Sequence, residues 1–538
     1  MILLQCRKMQ KFAPIFLVAI ALIVLGLPYL SWGFGVDDFG LVWHGKIEAL
    51  RELGNFFTEI GLHTFMQPSN YIAPEQSFFA VLYRPLLYGF YGVQYLLFGF
   101  SPYGYLLVSS LLHGLNAVLV WIVFKRYFSL SVAALGAGYF LFHLSMLNWF
   151  GWATAQQHLL ALFFTLLIAV LYLRFEVSRN KFLLLPMIVL SCCSLLVRET
   201  MLVLPLWVAF ACICNWRSVR DKAWLFVSAL VPVVGYLGWR VSRFPLKTSE
   251  GDLTWVTKPG FAFFAFLKDQ FLNYVTWLVD LTNLGFVGGG NRLRKGSLII
   301  LVVAFLVWLF FKCRKKSMVL FLFASSIAFA WPAVIRFYTS RFMYEALLFF
   351  VGAILLLVFE NDLPFKPKAW CFAGLIVFNA AVFPFFLHER EQVLANINTA
   401  VKELVVQLKD RPGPICFAGL PFGWFCTSVA QAFYMNGCPE TTPIYYDKGA
   451  FVWTEFMPDK EPIHMQAKLL SDGILEMRLN KPQKFSFQDR GTNFGTKELF
   501  EEGDATVLHW DMHNDRFDIP RVIVIWDYEA RCFKILES

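Results

Sequence analysis

Residues 103–124 read YGYLLVSSLLHGLNAVLVWIVF, from Tyr103 to Phe124, without one Asp, Glu, Lys or Arg. As a helix, a stretch of that length crosses about 30 Å, the hydrocarbon thickness of a bilayer, where no water satisfies an open backbone group. It therefore predicts a membrane-spanning helix. The same reading carried outward finds ten more spans, near residues 12–33, 131–149, 157–174, 182–197, 200–215, 223–240, 297–311, 317–335, 342–359 and 369–387. The stretch 261–287 is apolar but broken by Lys268, Asp269, Asn273 and Asp280, and reads as interfacial or re-entrant. Beyond residue 387 the apolar blocks thin out. The expected fold class is mainly α, a polytopic helical membrane protein of about 11 spans with a C-terminal soluble α/β or α+β domain.

Composition agrees with that division. Of 538 residues, 58% are apolar and 16% charged, with 59 Phe and 18 Trp, which excludes a disordered chain, a coiled coil and an ordinary cytosolic enzyme. Basic residues cluster beside alternate short loops, among them Lys125 and Arg126, Arg174 and Arg179, and Lys312 to Lys316. The positive-inside rule then places the N-terminus in the cytoplasm. The first block has a basic leader and no small-residue cleavage site, so it reads as a retained anchor. An odd number of spans puts residues 388–538 outside. That tail has no Asn-x-Ser/Thr sequon, which favours a bacterial inner membrane with a periplasmic domain. The net charge of +9 is thus mostly topological, and no basic stretch interleaved with aromatics points to nucleic acid. Four cysteines (Cys416, Cys426, Cys438 and Cys532) lie in the tail, where disulfides are chemically permitted, and their spacing fixes no pairing.

In such a chain the informative residues are polar groups at bilayer depth or at its edge, because each costs a few kcal/mol without a partner or a task. Asp37 and Asp38 follow the first span directly. They can be solvated loop charges or a helix cap; equally, one can serve as a general base and the other as a metal ligand or orienting group. Arg84 precedes Pro85 late in the long first loop, at the start of an expected amphipathic surface helix running to about Phe100. There it can hold a phosphate beside the helix N-terminus or anchor the helix among lipid headgroups. Ser109, His113 and Asn116 are spaced i, i+4, i+7 and form one polar stripe, which interhelical hydrogen bonding alone would also explain. Gln156, Gln157 and His158 open the fourth span on the same side. Arg198 and Glu199 form the tip of a hairpin with almost no loop, and Arg336 and Arg341 flank another outer loop. Four arginines on the face opposite to the positive-inside trend point to an anionic ligand.

In order and spacing these pieces resemble the GT-C class of integral membrane glycosyltransferases, most of all its protein O-mannosyltransferase-like and TMTC-type branch, bacterial relatives included. The resemblance rests on Asp37-Asp38, Tyr83-Arg84-Pro85-Leu86, the Leu-Leu-His-x-x-Asn run ending at Asn116, Arg198-Glu199, and Ser340-Arg341-Phe342-Met343-Tyr344, across roughly residues 12–360. It departs from the family at Arg198, where Lys is frequent, and in lacking a tetratricopeptide array. It implies a membrane catalytic domain over 1–387, with the first outer loop at 34–102, and a polyprenyl-phosphate-sugar donor used with inversion at the extracytoplasmic face. Asp37 or Asp38 would be the base and Arg84, Arg198 and Arg341 phosphate ligands, with Glu199 holding Arg198. His113, Asn116 and His158 would shape the substrate pocket. The acceptor hydroxyl would belong to a protein, glycolipid or polysaccharide. No cofactor is demanded, and a divalent metal ion is left open because no cluster has dedicated ligand spacing.

The tail is expected to begin with an amphipathic helix through Val393 to Leu408, followed by a strand at Ile415 to Gly419, a helix near 424–435, and strands including Val522 to Asp527. A transporter or lipid flippase for an anionic lipid-linked substrate is the rival reading. Transporters tend to show paired repeats and broken helices at mid-membrane. This chain instead gathers its unusual charges at one face.

Overall fold

A computed structural model describes residues 14–26, 33–34, 38–57, 84–143, 152–203, 207, 219–243, 303–336, 344–361, 363–409, 414–420, 429–439, 442, 444–446, 465–470, 474–480, 496–511, 522–527, 530 and 532–536. Its first part is helical. α1 covers residues 14–26 and ends in a π-helical turn, Ala21–Gly26. There follow α2 (Asp38–His44), α3 (Pro85–Phe98), α4 (Pro102–Phe124), α5 (Leu130–Leu141) and α6 (Gln156–Ser178). Next come α7 (Leu184–Val197), α8 (Val219–Arg243), α9 (Val303–Lys312), α10 (Lys316–Arg336) and α11 (Tyr344–Phe359). Among the described residues, three helices are long and apolar enough to cross a membrane: Pro102–Phe124, Ala153–Ser178 and Ala223–Ser242. Six shorter apolar helices fall on other predicted spans. The expected span at 200–215 starts instead with a 3-10 turn, Glu199–Val203, and most of its remainder lies outside the described residues, as does 261–287.

The helices pack by small residues and close approach, as expected where lipid is as apolar as leucine. α4 lies between α1, α5 and α6, while α11 packs on α5, α6 and α10. At Gly114 of α4 a Cβ would stand 2.9 Å from Ala21 Cβ and 3.2 Å from Val18 Cα, so glycine is what lets α1 lie against α4. The loop segment is stitched in the same way, because a Cβ on Gly45 would meet Tyr91 Cβ at 2.5 Å. α3 begins at Pro85, whose fixed φ suits a first turn. Its polar and aromatic side (Tyr88, Tyr91, Gln94) faces inward, whereas Val93, Leu96 and Leu97 are exposed. The helix is therefore inverted relative to a water-surface amphipath, with aliphatic residues turned outward and hydrogen-bonding groups kept inside.

The tail joins the bundle without a break. The sequence suggests a span ending at 387 and a separate amphipathic helix after it. One helix of 44 residues, α12 (Phe365–Leu408), covers both. Its last turns bury Ile397, Ala400, Val401, Leu404 and Leu408 against a mixed sheet of order β2-β1-β7-β8: β2 (Ile444–Tyr446), β1 (Ile415–Ala418), β7 (Val522–Asp527) and β8 (Cys532–Leu536). A short helix, α13 (Val429–Met435), follows β1 and is buried on the same side. The side-chain alternation of strands divides this sheet cleanly. Ile415 and Phe417 of β1, with Val522, Val524 and Trp526 of β7, face the helices. Cys416, Ala418, Ile523 and Ile525 face a second, antiparallel sheet of order β3-β4-β6-β5: β3 (Met465–Leu469), β4 (Ile474–Asn480), β6 (Ala505–Asp511) and β5 (Thr496–Glu502). The tail thus has three layers, helices on a mixed sheet on an antiparallel sheet. Cys416, Cys438 and Cys532 are free thiols, and Cys426 lies outside the described residues.

Candidate functional site

Six consecutive residues, 153–158, organise the polar interior. They form the 3-10 turn Ala153–Ala155 and the first turn of α6, at the end of the bundle where α7 finishes and α11 starts. A helix start leaves backbone N–H groups without intrahelical partners. Here one of them is used: Asp38 Oδ1 accepts from the Thr154 backbone N–H at 2.7 Å and from Thr154 Oγ1 at 2.6 Å. Asp38 opens α2 and is 1% exposed, so this carboxylate is buried with its donors fixed. The Tyr91 hydroxyl donates to the Ala153 carbonyl at 2.8 Å. Burial, then the neighbouring Asp38, pushes the Tyr91 phenol well above its usual range, so it acts only as a neutral hydrogen-bonding group.

The next three side chains continue the pattern. The Gln156 and Gln94 amides exchange reciprocal bonds of 2.7 and 2.9 Å, and Gln156 also donates to the Tyr105 carbonyl at 2.7 Å. Gln157 Oε1 accepts from the Arg84 guanidinium at 2.6 Å. Gln157 is neutral, so this bond orients Arg84 without cancelling its charge. His158 Nδ1 lies 2.6 Å from Arg198 Nη1. Guanidinium only donates, so Nδ1 must accept and the ring proton sits on Nε2. The 3.6 Å approach of the same nitrogen to Glu345 is therefore no ion pair of its own. Arg198 is instead neutralised by Glu345, with a direct guanidinium–carboxylate bond between side chains 3% and 2% exposed.

A second network lies deeper. His113 Nε2 is 3.0 Å from the Leu141 carbonyl, one of the acceptors left open where α5 ends, and so donates to it. Nδ1 then accepts from the Tyr344 hydroxyl at 2.5 Å. The Tyr344 oxygen accepts from Asn116 Nδ2 at 3.2 Å, and the same amide donates to the Leu159 carbonyl at 2.9 Å. The polar stripe on α4 is therefore partly structural: His113 and Asn116 tie α4 to α5, α6 and α11, and Ser109 bonds back to the Tyr105 carbonyl of its own helix at 3.1 Å.

Asp38, Arg84, His158 and Arg198 are thus gathered around one six-residue segment, with His113 and Asn116 joined through Tyr344. Asp37 and Arg341 lie outside the described residues, and so does the side chain of Glu199. Among the described residues, no three His, Cys, Asp or Glu side chains come together as metal ligands. Sequence reasoning overlooked Thr154 and Glu345. Glu345 had a signal: a carboxylate in the first turn of an otherwise apolar span demands a partner. Thr154 had none, because threonine is common at helix starts.

The tail reaches this region. The Trp43 ring at the end of α2 stacks on Phe100 (centroids 5.7 Å, planes 12° apart) and meets Tyr434 of α13 at 5.6 Å. Asn398 of α12 donates to the Phe34 carbonyl at 3.2 Å.

No family model matches the chain, and no curated protein matches it. Among solved structures it is similar to ArnT from Cupriavidus metallidurans bound to undecaprenyl phosphate, at 11% identity over 80% of this chain and 89% of that one, with a TM-score of 0.41. The apo state of the same ArnT gives 12% identity, 80% and 85% coverage, and a TM-score of 0.42. Likeness at that level assigns neither family nor activity, and the functional reading rests on the chain's own residues.

Proposed function

We propose that this protein is an integral membrane glycosyltransferase of GT-C type that moves a sugar from a polyprenyl-phosphate-sugar donor to an acceptor hydroxyl, with inversion at the anomeric carbon. The observation that carries the reading is the meeting of a buried carboxylate, Asp38, and a guanidinium, Arg84, at one turn of the chain, Thr154 to Gln157. An acceptor hydroxyl must lose its proton as the sugar passes through an oxocarbenium-like state, and a fixed carboxylate can take it. The phosphate leaves with added negative charge, which a guanidinium held beside it stabilises. Arg84 is given that task because it meets the same turn as Asp38, whereas Arg198 is paired with Glu345 inside the bundle. Arg198, His158 and Glu345 then brace this end of the bundle, and the tail, which touches α2 through Tyr434 and Trp43, would meet the acceptor.

The test uses the full chain in lipid nanodiscs with a panel of polyprenyl-phosphate sugars, following release of polyprenyl phosphate. Wild-type release that Asp38→Asn abolishes, with Arg84→Gln raising KM for the donor, supports the assignment. If Asp38→Asn turns over normally and Asp37→Asn does not, the base moves by one residue. Absence of turnover with membrane extract as acceptor source, despite donor binding, sinks the reading in favour of transport.

A further inference from the structure

At the opposite end of the bundle from Asp38 lies a cleft of about 1290 Å³, bounded by the ends of α4 and α6 and the starts of α5 and α7. It exceeds the roughly 300–1,000 Å³ typical of small-ligand pockets. Its walls are mostly apolar: Trp121, Ile122, Val170, Leu173, Val177 and Leu183 line it, with Ser178 and Asn180 beside them. Its rim carries Lys125, Arg126 and Arg174, all exposed, and no carboxylate lines it. Among the described residues none of these three cations makes an ion pair; Lys125 lies over the Trp121 ring at 4.6 Å. Glu176, two residues after Arg174, accepts from the Tyr172 hydroxyl at 2.8 Å and lines a different cavity.

Basic residues at helix ends commonly reach into the headgroup layer on their own. These three differ in converging on one concave, apolar-walled space. Helix dipoles do not decide the charge there, since two helices end and two begin around the cleft. The side chains do. We infer that this cleft is a binding site for an anionic phospholipid, whose acyl chains lie along the walls formed by α4 and α6 and whose phosphate is held by Lys125, Arg126 and Arg174. A zwitterionic lipid fits less well, because its ammonium would meet three cations with no acid to receive it. The inference is independent of the transferase reading, since none of these residues belongs to the site around Thr154.

Native mass spectrometry of the delipidated full chain tests it, with dioleoyl phosphatidylglycerol and dioleoyl phosphatidylcholine as probes. Wild type should retain phosphatidylglycerol preferentially. Lys125→Gln/Arg126→Gln/Arg174→Gln should weaken that binding by about a hundredfold, the product of roughly fivefold for each basic side chain removed. The charge-preserving Lys125→Arg/Arg126→Lys/Arg174→Lys should keep it, which separates loss of charge from loss of fold. Equal binding of the two lipids, unchanged binding by the glutamine variant, or displacement of the lipid by millimolar glycerol 3-phosphate would overturn the assignment, the last by making this a site for soluble phosphates.

Discussion

Arg198, at the end of α7, and Glu345, in the first turn of α11, neutralise each other inside the bundle although 147 positions separate them in sequence. Removing one partner strands the other as a buried charge, which costs roughly 3–5 kcal/mol, whereas removing both costs much less. Glu345→Gln and Arg198→Gln should therefore each lower thermal stability strongly in nanodiscs, and the double variant should recover most of the loss. Additive losses would show that the pair does not form.

The Thr154 hydroxyl and backbone N–H both donate to Asp38 Oδ1. A hydrogen bond to a charged group is worth about 1.5–3 kcal/mol. If Asp38 is the base, Thr154→Val should reduce kcat at least about tenfold with KM for the donor little changed. Thr154→Ser keeps the hydroxyl and should retain most of the activity. Equal rates for the valine and serine variants would detach Thr154 from the chemistry.

Tyr344→Phe deletes the hydroxyl that donates to His113 and accepts from Asn116. Leaving those buried groups short of partners costs about 1–3 kcal/mol. The expected outcome is a lower melting temperature with donor binding preserved, read by thermal unfolding and donor titration on the same sample. Loss of donor binding without loss of stability would place Tyr344 in the binding site instead.

Seating of the tail on α2 depends on the Trp43 and Tyr434 rings. Aromatic pairs contribute about 0.5–1.5 kcal/mol beyond burial. Tyr434→Ala should raise amide exchange across Asp38–His44 by roughly two- to tenfold, seen by hydrogen-exchange mass spectrometry. Unchanged exchange would mean that the tail does not steady the segment carrying Asp38.

On the outer sheet of the tail, Glu476 accepts from Lys468 and pairs with His509, each at 3.0 Å, and these partners hold its carboxyl below the usual range. A depressed carboxylate contributes stability that is complete above its ordinary pKa and lost as pH falls through the lowered value. Because Lys468 is 64% exposed, the pair is worth less than about 1 kcal/mol. Glu476→Gln should then lower the melting temperature slightly at pH 7 and by less at pH 3, measured by scanning calorimetry. A large effect at both pH values would point to packing rather than charge.

Much of this protein was legible in its sequence. Bilayer thickness and backbone hydrogen bonding convert an uncharged run such as 103–124 into a helix, and α4 covers residues 102–124. The cost of polar groups in lipid marks Asp38, Arg84, His113, Asn116, His158 and Arg198 as groups that need partners, and each has one. Short apolar runs marked β1 and β7. The continuity of α12 escaped the reading, because the change from apolar to amphipathic composition near residue 387 marks a change of solvent, not of backbone conformation.

Partnership was decided only in three dimensions. A sequence shows that Arg198 must be compensated, but not that Glu345 compensates it, since Glu199 stands next to it and offers the same charge. Nor does it show that Thr154 reaches Asp38, or that His113 completes the open end of α5 at Leu141. The periodicity of one helix fixes which of its side chains share a face. Which other helix that face meets is set by the packing of the bundle, where small residues such as Gly114 allow approach, and the roles of Arg84 and Arg198 diverge only there.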